Sequence, residues 1–128
     1  MKTREADFGF IFRHWLRANP RSSAVFEIKQ TETGSIPFSC LQENQIDYLS
    51  AIRSDKGTLI RVQGVNGEPD YAYYRNAPAY VVIKYPSSFH LISIDTFLLE
   101  KARSKRKSLT EARAADISVV SVKTKKPR

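Results

Sequence analysis

Residues 24–49 read AVFEIKQTETGSIPFSCLQENQIDYL, and this stretch decides the fold class. From Ala24 to Gln30 the side chains alternate: Val25, Glu27 and Lys29 face one way, Phe26 and Ile28 the other. That period of two predicts a β-strand whose apolar residues enter a core. Thr31 to Pro37, with Gly34 and Pro37, reads as a loop. Ser39 is a suitable N-cap for a helix from Cys40 to Arg53, with Leu41, Ile46, Leu49 and Ile52 apolar and Gly57 fitting the stop beyond. Strand, loop and helix in this order set an α+β or α/β expectation.

Working outward, residues 5–18 place Phe8, Phe12, Trp15 and Leu16 at helical spacing, and Asn19-Pro20 ends the pattern. Downstream, residues 58–65, 70–75, 79–85 and 89–94 read as strands. Turn chemistry at Asn66-Gly67, Asn76 to Pro78 and Pro86 to Ser88 separates them. Asp95 can cap a helix over 96–103, and Ser108 with Glu111 forms a capping box for a helix from Leu109 to Ile117. The expected architecture is a mixed central sheet flanked by helices. It forms one domain over residues 1–118, followed by a basic, disordered tail over 119–128.

The 128-residue chain is 41% hydrophobic and 27% charged, which suits a single modest core. No apolar run reaches the roughly 18–20 residues that span a bilayer, so no membrane partner is expected. The N-terminus MKTREADFGFIF is charged where a secretory leader is apolar, and Cys40 is the single cysteine; both lead to a cytoplasmic expectation. One Cys and two His cannot build a zinc finger. No phosphate-cradling glycine loop or serine-nucleophile elbow occurs. The net charge of +8 is unevenly placed: residues 1–100 carry 11 basic against 11 acidic side chains, and residues 101–128 carry 10 against 2. A basic segment attracts polyanions in a salt-dependent way, although a solvated tail that aids solubility reads the same in composition.

Glu27 and Lys29 are the sharpest chemical pair. On one face of a strand, the carboxylate offers a hard oxygen to Mg²⁺ and the ammonium stabilises charge developing on phosphate. A same-face ion pair has the same spelling. With its surroundings, the E-x-K strand, the loop ending Ser35-Ile36-Pro37-Phe38 and the helix bearing Gln45 resemble the PD-(D/E)xK nuclease superfamily. Within it the likeness is to Holliday-junction-resolvase-like proteins of the phage and bacterial recombination type. The likeness extends through Glu68-Pro69-Asp70, the strand Tyr80 to Tyr85, FHLISIDTFL and the SLTEARA segment.

The resemblance implies a restriction-endonuclease-like core and metal-dependent hydrolysis of DNA, with Mg²⁺ or Mn²⁺ as cofactor. Branched or junction DNA is the implied substrate, and a homodimer the implied assembly. Glu27 and Lys29 match the family's second acid and lysine, Gln45 a helix glutamine near the site, and Glu5 an acid on the first helix. Glu5 also suits the first turn of a helix on dipole grounds alone. The family's first aspartate stands upstream of E-x-K, yet His14 to Phe26 contains no acid. Asp70 is the replacement candidate, as second metal ligand to Glu27, if its strand pairs beside the Glu27 strand; Asn-Gly-Glu-Pro-Asp is equally a turn sequence. Lys101, Arg103, Lys105, Arg106 and Lys107 are the backbone-binding candidates. The alternative function is a non-catalytic nucleic-acid-binding module on a degenerate nuclease fold. Tyr71, Tyr73, Tyr74, Tyr80 and Tyr85 read first as half-buried sheet residues, and Cys40 as a buried or half-buried thiol.

Overall fold

The structure, a computed structural model, describes residues 5–19 and 24–124. Along the chain these residues form helix α1 (Glu5–Ala18), strands β1 (Val25–Gln30) and β2 (Ser35–Pro37), helix α2 (Glu43–Arg53) and strands β3 (Thr58–Gln63), β4 (Pro69–Tyr74), β5 (Ala79–Tyr85) and β6 (Ser88–Ser93). Helix α3 (Ile94–Arg103), strand β7 (Ser108–Thr110), helix α4 (Glu111–Ile117) and strand β8 (Val120–Lys123) complete the order. The central sheet runs β1-β5-β6-β8, with β1 parallel to β5 and the other pairs antiparallel. It is a mixed sheet flanked by helices in an α+β arrangement, as the strand and helix patterns led one to expect.

Strand alternation sorts the core onto two faces. Phe26 and Ile28 of β1, Val82 of β5, Phe89 and Leu91 of β6 and Val120 and Val122 of β8 pack on the α1 side, against Phe8, Phe12, Trp15 and Leu16. Phe12 is the hub there, with ring centroids 5.2 Å from Phe26 and 5.8 Å from Phe89. On the opposite face Val81 and Ile83 of β5 and Ile92 of β6 meet Leu49 and Ile52 of α2 and Phe97 of α3. Because β5 is buried on both faces, its sequence AYVVIKY is nearly continuous in apolar residues, as central strands are. Even Lys84 is buried: its Nζ donates to the carbonyls of Tyr85 and Pro86, and burial lowers its pKa against the opposing charge of Glu111.

Two small antiparallel ribbons lie beside this sheet. β2 pairs with β7, setting Ile36 opposite Leu109; both are buried, and the buried Tyr85 hydroxyl donates to the Leu109 carbonyl at 2.9 Å. β3 pairs with β4 through a turn where Asn66 and Gly67 both take positive φ, which Asn-Gly tolerates. Ile60 and Tyr74 anchor this hairpin to the core. Tyr71, Tyr73 and Leu59 lie exposed on its other face, so Tyr71 and Tyr73 depart from the half-buried expectation.

Several boundaries differ from the sequence reading. The second helix begins at Glu43 with Gln42 as its N-cap, because Phe38 and Leu41 are drawn into the core and Phe38–Cys40 closes a 3-10 turn. The cap of α3 is Ser93, whose Oγ accepts from the Thr96 amide at 3.2 Å; Asp95 lies in the first turn and pairs with Arg53 at 3.1 Å. Thr110, not Ser108, caps α4, since Leu109 must stay in strand conformation to face Ile36. The segment expected as a tail from residue 119 is instead ordered through Lys123. Val120 and Val122 alternate inward toward the α1 layer, so β8 joins the sheet beside β6. Residues 125–128 lie outside the described residues.

Candidate functional site

Glu27 sits in the middle of β1, opposite Val81 of β5, with Lys29 two residues along on the same side of the strand. Both are half-buried, and the neighbouring Val25 packs into the core shared with α2. The pair therefore faces the α2 layer, whereas Phe26 and Ile28 hold β1 against α1. Edge position gives β1 a free flank, since β5 is its one partner strand among the described residues.

Two α2-side groups complete the surroundings. The Tyr48 phenol of α2 lies beside the Glu27 carboxylate. Burial first, then the Glu27 charge, push the phenol up to about 12. Tyr48 thus stays protonated at neutral pH, with a proton to offer the Glu27 carboxylate. The Cys40 thiol is pushed up to about 11 by burial, while the charges of Lys29 and Lys101 pull it the other way. Cys40 is therefore inert as a nucleophile.

The other expected site residues are distributed differently. Gln45 is the N3 residue of α2, and its Oε1 accepts from the Gln42 amide at 2.9 Å. That bond ties its carbonyl end to helix capping rather than to Glu27. Asp70 is exposed on β4, opposite Val62, and its Oδ1 accepts from the Tyr71 amide at 2.8 Å. The expectation that its strand pairs beside the Glu27 strand is corrected: β4 folds back onto β3, and β1 takes the buried β5 as its neighbour. Among the described residues, no group of three His, Cys, Asp or Glu side chains is placed to hold a metal ion. Glu5 opens α1, but its side chain lies outside the described residues.

Lys101 and Arg103 are exposed in the last turn of α3, where they complement the helix dipole. Lys105, Arg106 and Lys107 are exposed in the connection to β7, which the Phe38 amide pins by bonding the Lys107 carbonyl at 3.0 Å. The nearby Glu100 is held by Arg113 in a two-point pair at 2.7 and 3.1 Å, and that bond keeps its carboxyl below the usual range. The five cations are thus exposed along the last turn of α3 and the connection to β7.

Sequence reasoning missed Tyr48. A signal was available, since Tyr48 lies three residues after Gln45 and so one turn along the same helix. No family model matches the chain, and neither a curated protein nor a solved structure is significantly similar to it. No helix among the described residues is long and apolar enough to cross a membrane.

Proposed function

We propose that this chain is a metal-dependent, structure-selective DNA endonuclease of the junction-resolvase type, with Glu27 and Lys29 at its centre. The observation that carries this reading is their arrangement: a carboxylate and an ammonium on one face of an edge strand, with the Tyr48 phenol beside the carboxylate. The donor chemistry fits Mg²⁺ or Mn²⁺, which take hard oxygens and commonly use one or two carboxylates, with waters and substrate phosphate completing the shell. Glu27 supplies one such oxygen; Asp70, on the β3–β4 ribbon, is not brought beside it. Such an ion, when bound, activates water and neutralises phosphate charge.

The chain's own groups do the rest. Tyr48 offers a proton to Glu27, and Lys29 offers a positive charge to the phosphoryl oxygens as negative charge builds in the transition state. Lys101 and the cations through Lys107 grip the DNA backbone without reading sequence. Four-way junctions have approximate two-fold symmetry, which a homodimer with two such centres would match.

A second reading is favoured by the position of Asp70. With that carboxylate engaged on β4 and no three-ligand group among the described residues, a non-catalytic nucleic-acid-binding module is supported by the same exposed cations. Incubation with four-way junction, flap and linear duplex DNA separates the two, run with Mg²⁺, Mn²⁺ or chelator and beside Asp70→Ala. Metal-dependent nicking of branched substrates supports the nuclease. Salt-sensitive binding with no product on any substrate overturns it in favour of the module.

A further inference from the structure

The β3–β4 ribbon turns one face to the core and one to solvent. Ile60 and Tyr74 pack inward, so strand alternation places Leu59 and Arg61 of β3 with Tyr71 and Tyr73 of β4 on the outward face. The register sets Leu59 opposite Tyr73 and Arg61 opposite Tyr71. Leu59 is 64%, Tyr71 60% and Tyr73 58% exposed, an apolar surface that folding leaves uncovered.

The Tyr73 ring is nonetheless held in place. Its hydroxyl donates to the Lys56 carbonyl at the foot of the ribbon. Gly57 leaves it room, since a Cβ at that residue would fall 2.8 Å from Tyr73 Oη. A ring seated in this way and still open to solvent gives up little freedom on binding. Tyr71 follows on the same face, about 7 Å along the strand at two residue rises. Charge on this face is positive. Arg61 is exposed beside Tyr71, and Lys56 and Arg75 are exposed at the foot of the ribbon. Of the acids nearby, Asp70 alternates to the other face, Glu68 stands at the turn, and Asp55 accepts from the Asn76 side-chain amide at 3.2 Å.

The size of the face selects its occupant. Two strands of 6 residues each give about 20 Å by about 10 Å, roughly 200 Å², against about 800 Å² per partner in a stable protein interface. A second copy or a folded protein finds too little here to bury. A nucleic-acid single strand needs only a ring for each base and a cation for its phosphate.

We propose that the outward face of the β3–β4 ribbon binds single-stranded DNA, with Tyr71 and Tyr73 stacking successive bases and Arg61 neutralising a phosphate. Leu59 adds apolar contact beside Tyr73. Every base has a face to stack, so no sequence preference follows. Bases in a duplex already stack on one another and offer the rings nothing. The site stands apart from the Glu27 centre, and its affinity is read in chelator, so it holds or fails whatever the outcome for cleavage.

The test is fluorescence anisotropy of labelled oligo(dT) with the full chain, beside an abasic strand of equal length and a duplex. Circular dichroism checks the fold of each variant. Oligo(dT) affinity should fall by about 5–150-fold in Tyr71→Ala, the worth of one stacked base, and be kept in Tyr71→Phe. The abasic strand, which keeps its phosphates, should bind wild type no better than oligo(dT) binds Tyr71→Ala. In Arg61→Gln the slope of log K against log salt should become shallower by about 0.7. Duplex affinity should be the same in wild type and Tyr71→Ala. Equal oligo(dT) affinity in folded Tyr71→Ala, or equal affinity of wild type for the abasic strand, overturns the proposal. So does an equal loss of duplex affinity in Tyr71→Ala. A change of oligomeric state in Tyr71→Ala with oligo(dT) affinity intact assigns the face to a second copy and overturns it too.

Discussion

Replacing Tyr85 by Phe removes one hydroxyl from the centre of the molecule and little else. Tyr85 is 0% exposed, and its oxygen is 2.9 Å from the Leu109 carbonyl. Burial pushes this phenol above its usual range, with Glu111 adding in the same direction, so the group is a proton donor at every working pH. Phe keeps the ring and leaves no cavity larger than the lost oxygen. The Leu109 carbonyl keeps its ladder partner Ile36, so the cost is one buried hydrogen bond, about 0.5–1.5 kcal/mol. For a chain of 128 residues a loss of 1 kcal/mol lowers Tm by about 4 °C, between the sensitivities of smaller and larger domains. Urea unfolding should show the midpoint falling at constant m-value, with faster amide exchange across the Ile36–Leu109 pair. The exposed Tyr71 should tolerate the same change within about 0.5 kcal/mol. A loss below about 0.5 kcal/mol for Tyr85→Phe, the range of an ordinary surface change, would refute the view that this bond ties β7, and with it the basic connection, to the central sheet.

Other outcomes follow from individual side chains. Ser93→Ala deletes the α3 cap on the Thr96 amide and should cost about 0.5–2 kcal/mol by thermal or denaturant unfolding. His90 has a folded pKa below 6.5 because of burial, so the unfolded chain binds the extra proton as the solution is acidified. Stability should be full above about pH 6.5 and fall as pH drops through the folded value. Urea titrations at about pH 7.5 and about pH 5.5, either side of the ordinary imidazole value, measure this, and in His90→Gln the slope over that window should flatten. Replacing Lys101, Arg103, Lys105, Arg106 and Lys107 by Gln should weaken binding to duplex and junction alike. The slope of log K against log salt should become shallower by about 0.9 for each phosphate that is no longer neutralised. An unchanged slope would place the DNA surface elsewhere.

What the sequence made legible follows from the range of the forces involved. The bounds of α1 could be read directly, because four apolar residues at helical spacing and a terminal Asn-Pro act locally. The alternation of Val25–Gln30 defined both the strand and the face on which Glu27 and Lys29 stand. Caps were less legible. Ser39 and Ser108 both have cap chemistry, yet Phe38, Leu41 and Leu109 reach the core and move the starts of α2 and α4. Tertiary burial outweighs a cap worth about 1 kcal/mol. Asp95 has cap chemistry too, but Ser93 takes that place and leaves the carboxylate to Arg53. β8 was hidden in a basic composition, since Val120 and Val122 supply its inward face and its edge position leaves the remainder polar. For the candidate site, local spacing placed Glu27 beside Lys29. The register of Asp70 depended on which strand β1 chose as a neighbour, a long-range pairing that no local pattern encodes.

The central claim is that Glu27 is the working carboxylate of a nuclease. Its most direct test is single-turnover cleavage of a four-way DNA junction in Mg²⁺ by the wild-type chain and by Glu27→Ala, with junction affinity measured in parallel. Glu27 is half-buried on an edge strand, so its truncation should leave fold and affinity close to wild type. The cleavage rate should fall by at least about 10²–10³-fold, as removal of a key electrostatic group does, and chelator should abolish the wild-type rate. Cleavage by Glu27→Ala at the wild-type rate, or wild-type cleavage indifferent to chelator, would contradict the account.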